Sequence, residues 1–348
     1  MLKNLLLLTC GVSLLAVAGC NNTGTSSSDG ATSSTGTTSG SGGAATTSNS
    51  GGSKPTIAVI PKGTTHSYWK SVQAGANQAG EELGANIIFK GPVKEDDRAQ
   101  QISIVQQFTS GSDTAAIVLA PLDDTALVKS VKAAKTKKIP VVIIDSALKG
   151  KPGTDYDSYV ATNNTKGGEL AGERLVKLLG GKGKVVLLRY QEGSASTAQR
   201  EEGFLSVMKK NPGIIVTVSN RYGGATTGEA KTAALNMVDR LKEANGIFAP
   251  NESSTLGMLL ALRQANLAGQ KKFVGFDASS PLLDGLNKSE INALVVQNPT
   301  KMGYEGVRVA LAAVKGDKAP TDVDTGVAVV DKDNINSPEI KEIVGSNK

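Results

Sequence analysis

Short apolar runs recur along most of this chain, each followed by a polar turn and a helical pattern, and that alternation leaves few folds open. TIAVIP precedes a polar loop from Lys62 to Ser67 and a helical pattern from Tyr68 to Leu83. The grammar repeats through ANIIF, a helix through Gln100 to Phe108, AAIVLA, a helix from Thr125 to Lys137, and PVVIID. Strands this apolar, alternating with helices, belong to a parallel sheet covered on both faces. A second series is read from SYVAT near Tyr159, with a helix from Lys166 to Leu179. KVVLLR, a helix around Arg200 to Met208, IIVTVS and a helix from Glu229 to Ala244 continue it, followed by GIFA and KFVGF with their helices. At SSP (Ser280) and QNP (Asn298) a polar capping residue precedes a proline at the first helical position. Two doubly wound, Rossmann-like α/β lobes facing each other are expected of about 290 residues.

The segment ahead of this part has another character. One charge, Lys3, an apolar run from about Leu5 to Val17 and then small residues read as an export signal over 1–19. The run is too short for a membrane span, which needs about 20 residues. Val17-Ala18-Gly19-Cys20 resembles the lipobox of bacterial lipoproteins, which implies a diacylglyceryl group on Cys20 and cleavage before it. Several acyl chains, at about 0.8 kcal/mol per buried CH₂, would anchor the protein on a membrane without spanning it. From Asn21 to Ser53 the chain is Gly, Ser, Thr, Asn and a few Ala with Asp29 as the single charge, a composition that cannot offset its ordering entropy. Residues 20–54 are therefore expected to be a lipidated cysteine and a flexible linker with a reach of roughly 30 Å. The expected location is the cell envelope, on the outer face of the cytoplasmic membrane or in the periplasm.

Composition excludes several kinds of chemistry. The other cysteine, Cys10, lies inside the signal, so the mature chain has no disulfide, zinc knot or thiol nucleophile. A single histidine, His66, stands without HExxH or GxSxG. Glu95-Asp96-Asp97 and Asp123-Asp124 read as helix N-terminal caps rather than metal ligands. GGKGK at Gly180 lacks the spacing and the Ser/Thr of a phosphate loop and reads as a helix-to-strand turn. No enzymatic activity, metal or cofactor is expected. With 38 basic against 32 acidic side chains spread along the chain, the charge describes a solvated surface and no nucleic-acid partner.

Ligands of open α/β sheets bind beyond the carboxyl ends of the strands. There the chain sets Lys62 and His66 after its first strand, Asp145 after PVVII, Asn251 after GIFAP, Asp277 after KFVGF, and Gln297 after ALVV. A sugar wants planar groups that bond two hydroxyls at once, and an aromatic plate for its C–H faces. Aromatics are 4% of the chain, yet Tyr68 and Trp69, the sole tryptophan, are adjacent in the first strand-to-helix loop. Arg200 in STAQREEGF adds a guanidinium.

TIAVIPKGTTHSYWKSVQAGANQAGEELG resembles the opening of the ribose-type periplasmic binding proteins, the solute receptors of ABC importers. The likeness continues in order through APLDDTALVKSVKAAKTKKIPVVIIDS, ATNNTKGGELAG, GSASTAQREEGF, IFAPNE, FVGFDASS and VVQNPTKMGYEGV. The resemblance implies the periplasmic binding protein type I fold, with a three-crossover hinge near Thr162, Gln297 and Asp324. It implies an N-terminal lobe of 55–162 plus 298–324 and a C-terminal lobe of 163–297 plus 325–348. It further implies one monosaccharide held by His66, Tyr68, Trp69 and Asp145 from the first lobe and by Arg200, Asn251, Asp277 and Gln297 from the second. Tyr68 and Trp69 would cover the apolar faces, with His66 and Gln297 at the rim; the partners would be an ABC permease and a membrane, and the protein a monomer. Ribose receptors carry arginine where this chain has Ser146, phenylalanines at Tyr68 and Trp69, and asparagine at His66. The autoinducer-2 and rhamnose receptors resemble it in IPK at Lys62, the GP of FKGPV and the Asp145-Ser146 pair, which adds Lys62 and Ser146 to the candidate ligand set. Autoinducer-2 receptors use that lysine but carry an aspartate where this chain has Ala198, a departure from their pattern. An autoinducer-2 or other sugar-like signal receptor, or a chemosensory sugar receptor, is the alternative function.

Overall fold

The computed structural model describes residues 54–345; the signal, Cys10, Cys20 and the linker up to residue 53 lie outside them. The apolar runs form strands, and the strands divide between two six-stranded sheets. The first is built from β1 (Thr56–Ile60), β2 (Asn86–Phe89), β3 (Thr114–Leu119), β4 (Val141–Ile144), β5 (Ser158–Ala161) and β11 (Asp322–Asp324), in the order β11-β5-β4-β3-β1-β2. The second takes β6 (Gly183–Arg189), β7 (Ile214–Tyr222), β8 (Gly246–Phe248), β9 (Lys272–Phe276), β10 (Ala293–Gln297) and β12 (Val327–Val330), in the order β12-β10-β9-β8-β6-β7. Both orders reverse beside the first strand of their series, as doubly wound sheets do. All pairs are parallel except β10 with β12.

Helices α1 (Ser67–Leu83), α2 (Arg98–Ser110), α3 (Val128–Thr136) and α10 (Pro299–Lys315) cover the first sheet. The second is covered by α4 (Asn164–Leu179), α5 (Ala195–Lys210), α6 (Thr227–Leu235), α7 (Val238–Glu243), α8 (Glu252–Gln264), α9 (Ser280–Asn287) and α11 (Pro338–Gly345). Each sheet has an apolar core on both faces, which is why its strands read as continuous apolar runs without alternation. Fold class and architecture agree with the expectation: two α/β lobes with mostly parallel sheets.

Four local readings change. SYVAT does not open the second series; β5 pairs with β4 and β11 and belongs to the first sheet. The helix from Glu229 to Ala244 is two, α6 and α7, interrupted at Asn236 and Met237. Thr226 caps α6 through a reciprocal box with Glu229, a start signal just ahead of the expected one. At SSP the N-cap is Ser279, without a side-chain bond, so Ser280 is the first helical residue; at QNP, Asn298 does cap α10, its side chain accepting from the Lys301 amide.

The chain passes between the sheets three times: from β5 into α4, from β10 into α10, and from β11 into β12. Thr162 and Thr325 on two of these passages stand with their hydroxyl oxygens 3.4 Å apart. Helix α4 lies close against α5 because Gly168 has no side chain; a Cβ there would sit inside the contact radius of the Arg200 carbonyl oxygen. That approach fixes the backbone carrying Arg200.

Candidate ligand site in the cleft

Carboxyl ends of strands from both sheets face one another around a small polar cavity of about 30 Å³. Its wall is formed by Lys62, His66, Tyr68, Trp69, Glu95 and Asp145 from one side and by Tyr190, Ser196, Thr197, Arg200, Asn251, Glu252, Asp277 and Gln297 from the other. Asp145 follows β4 and Asp277 follows β9, and both adopt left-handed backbone, at φ 62° and 70°. Aspartate tolerates that region better than most side chains, and such residues cluster at functional sites. Ser196 and Thr197 lie in the first turn of α5, Glu252 opens α8, and Tyr68 and Trp69 open α1.

On the first lobe, Lys62 Nζ forms an ion pair with Asp145 Oδ2 at 2.8 Å and donates to Ser196 Oγ of the other lobe at 2.9 Å. Tyr68 OH donates to Asp145 Oδ1 at 2.9 Å, and its ring meets Trp69 edge-on with centroids 4.9 Å apart. Burial, with Asp145 beside it, pushes the Tyr68 phenol well above its ordinary pKa and keeps it a donor. Trp69 is buried among the core of α1 and still presents Nε1 to Glu95 Oε1 at 2.6 Å.

Glu95 is the residue that sequence reasoning misplaced. In the run Glu95-Asp96-Asp97 only Asp97 caps α2, accepting from the Gln100 amide at 2.8 Å. Asp123, by contrast, does cap the following turn, accepting from the amides of Thr125 and Ala126. Glu95 turns inward, 5% exposed, and takes His66 Nδ1 at 2.7 Å, the Trp69 indole and the hydroxyl of Tyr190 from the opposite lobe. Burial alone would lower the His66 pKa, but the Glu95 carboxylate outweighs it and, with Glu252 and Asp277, holds it at about 9. Burial would likewise raise Glu95, yet His66 and Lys62 hold it at about 2. The two form an ion pair at neutral pH. Tyr190 had a signal of the same kind as Asp145, a polar group just after KVVLLR.

On the second lobe, Arg200 lies over the Phe276 ring, 4.0 Å from guanidinium carbon to ring centroid. Its Nε donates to Asn164 Oδ1 at 2.8 Å and its Nη1 to the Pro250 carbonyl at 3.0 Å, while Nη2 is buried without a protein partner. Asp277 accepts from Gln297 Nε2 and from the Glu252 amide, each at 2.8 Å. Burial raises its carboxyl to about 6, against the pull of Arg200 and the Gln297 hydrogen bond; Glu252 and Asp145 add to the rise. Gln297 is 2% exposed, inside the wall rather than at its rim, and its Oε1 has no hydrogen-bond partner.

All eight residues named for the ligand, and Lys62, line this cavity. Asn251 does so with its side chain engaged, since Oδ1 accepts from the Ser254 amide and Nδ2 donates to Ser253 Oγ. Ser146 is not part of the wall; its Oγ accepts from the Ser196 amide at 3.1 Å, joining the lobes. Among the described residues no cluster of three or more His, Cys, Asp or Glu could hold a metal ion.

Comparison with known proteins places this geometry among relatives. The ribose import binding protein of Salmonella typhimurium is 29% identical over 271 residues, covering 76% of this chain and 87% of that protein. A carbohydrate transporter solute binding protein from Agrobacterium radiobacter, solved with D-arabinose, superposes with a TM-score of 0.79 at 34% identity, over 84% of this chain and 99% of that one. A solute binding protein of an ABC transporter from Agrobacterium vitis, solved with D-fucose, gives 0.79 at 34% identity, over 83% and 99%. The family model described as the periplasmic binding protein domain matches residues 57–318, and the chain belongs to that family.

Proposed function

We propose that this protein is the substrate-binding lipoprotein of an ABC importer, which captures one neutral monosaccharide, a pentose or hexose, between its lobes and delivers it to a permease. The observation that carries the reading is the pair Arg200 Nη2 and Gln297 Oε1, a buried donor and a buried acceptor in one cavity wall with no partner in the protein. Leaving such groups unmet is costly, and a polyol that both donates and accepts meets both. Asp145 and Asp277 accept from hydroxyls with their remaining lone pairs, and Tyr68 and Trp69 offer ring surface to the C–H faces. His66 stands in the wall as an ion pair with Glu95, and Asn251 contributes least, since its side-chain amide is already used to cap α8. The relatives named for ribose, D-arabinose and D-fucose support a sugar. Lys62, on which an autoinducer-2 reading turns, is engaged by Asp145 and Ser196. The role is binding and delivery, with no catalytic step assigned to any residue.

A thermal-shift screen of residues 54–348 against pentoses, hexoses and deoxy sugars tests this reading. Sugar at about a thousand times its dissociation constant is expected to stabilise the protein by about 4 kcal/mol, or roughly 2–4 °C for each of those kcal/mol. No shift from any neutral monosaccharide would sink the sugar assignment. We further propose that Cys20 carries the lipid anchor, on the strength of the small residues before it. Cys20→Ala is expected to move the protein from the membrane to the soluble envelope fraction; unchanged partitioning would remove the anchor.

A further inference from the structure

Helix α1 begins without a cap of its own. Its N-cap residue, His66, makes no side-chain bond to the first turn, and no acidic residue stands in that turn. Thr64, near enough in sequence to serve, donates its hydroxyl to the Pro92 carbonyl instead. The first amides of a helix need a partner, and the chain supplies one from far away. The Glu252 carboxylate accepts from the amides of Ser67 and Tyr68, at 3.3 and 3.0 Å, across 185 and 184 residues of sequence.

Glu252 belongs to the opposite lobe, where it is the first residue of α8. Helices α1 and α8 thus bring their N-terminal ends, each carrying partial positive charge, to one carboxylate from two sides of the cleft. The residue is anchored from behind, because its own amide donates to Asp277 Oδ2, and it is 8% exposed. Tyr68, whose amide it holds, carries the hydroxyl that bonds Asp145.

We propose that Glu252 is a positioning residue for ligand capture: it caps α1 in trans, and so holds the lobes together around the ligand and sets the place of Tyr68 and Asp145. The proposal rests on the reading of the cavity as a ligand site. Its contacts exist only while the lobes are together, since on opening both the two amides and the carboxylate return to water. The latch therefore acts on the escape of ligand and leaves the fold of each lobe unchanged.

Hydrogen exchange resolved at single amides tests this, on the wild type, Glu252→Ala and Glu252→Gln, with and without the sugar found by the thermal screen. The amides of Ser67 and Tyr68 are expected to exchange about tenfold faster or more in the alanine variant, with the rest of α1 unchanged. Glutamine, which keeps an acceptor and loses the charge, is expected to lie between, and it serves if the alanine variant fails to fold. The sugar's dissociation rate is expected to rise by about tenfold, with its association rate changed less than about threefold. Equal exchange at both amides in all three proteins would overturn the latch, as would an unchanged dissociation rate. The exchange comparison needs no sugar, so a screen without a hit would sink the sugar assignment and leave the latch to be decided on its own.

Discussion

Glu95→Ala is expected to lower the stability of the folded protein by about 3–5 kcal/mol, the range for removing one partner of a buried ion pair. The substitution strips a carboxylate from His66, the Trp69 indole and the Tyr190 hydroxyl at once, and leaves the His66 imidazole without the counter-charge that chiefly holds it protonated. The same pair gives a signature in pH. A histidine raised from 6.5 to about 9 contributes its stability in full below pH 6.5 and loses it as pH rises through 9. A carboxylate lowered from 4.5 to about 2 contributes above pH 4.5 and loses it as pH falls through 2. The pair is therefore most stabilising between pH 4.5 and 6.5. Urea midpoints followed by circular dichroism are expected to fall for the wild type between pH 6.5 and 9, at up to about 1.4 kcal/mol per pH unit. In Glu95→Gln, whose amide cannot hold the imidazole charged, that slope should be lost. An equally steep slope in the variant would contradict the pairing.

Asp277→Asn is expected to weaken sugar binding by about 30-fold or more, near 2 kcal/mol, and to remove its dependence on pH. Burial raises the Asp277 carboxyl from 3.8 to about 6, so its favourable contribution to folding is complete below 3.8 and lost as pH rises through 6. At neutral pH the carboxylate is ionised inside the cleft, with Gln297 and the Glu252 amide as its donors. Hydroxyls of a bound sugar add donors and favour the ionised form. Binding then competes with protonation, and affinity is expected to fall as pH drops below about 6, by up to about tenfold per unit. Dissociation constants measured by calorimetry from about pH 5 to pH 8 check both parts. An asparagine variant that binds as tightly as the wild type at neutral pH would take Asp277 out of the site.

The alternation of strands and helices was legible because buried parallel strands are apolar throughout, and TIAVI, VVII and KFVGF are unambiguous in that sense. Sheet membership was less so: SYVA is as apolar as a strand of either series, and only its pairing with β4 assigns it. The polar residues at the strand ends were legible for the same topological reason, since Asp145 and Asp277 must stand where β4 and β9 stop. Their left-handed backbone was not, because aspartate after a strand looks the same in an ordinary turn. Glu95 was hidden by its neighbours: three acidic residues before a helix satisfy a capping pattern, and only packing tells that Asp97 caps while Glu95 points inward. Glu252 and Tyr190 act across the cleft, at separations where local pattern carries no information about contact.

Trp69 is the only tryptophan of the chain and lines the cavity, so its fluorescence reports on that site alone. Titration of the intrinsic emission of residues 54–348 with the panel of neutral pentoses and hexoses is the most direct test that one sugar is held between the lobes. A saturable change with one binding site for a single sugar, weakened about 30-fold in Asp277→Asn, is the result expected. Saturable sugar binding seen by calorimetry with no change in Trp69 emission and no effect of Asp277→Asn would place the ligand elsewhere and contradict the account.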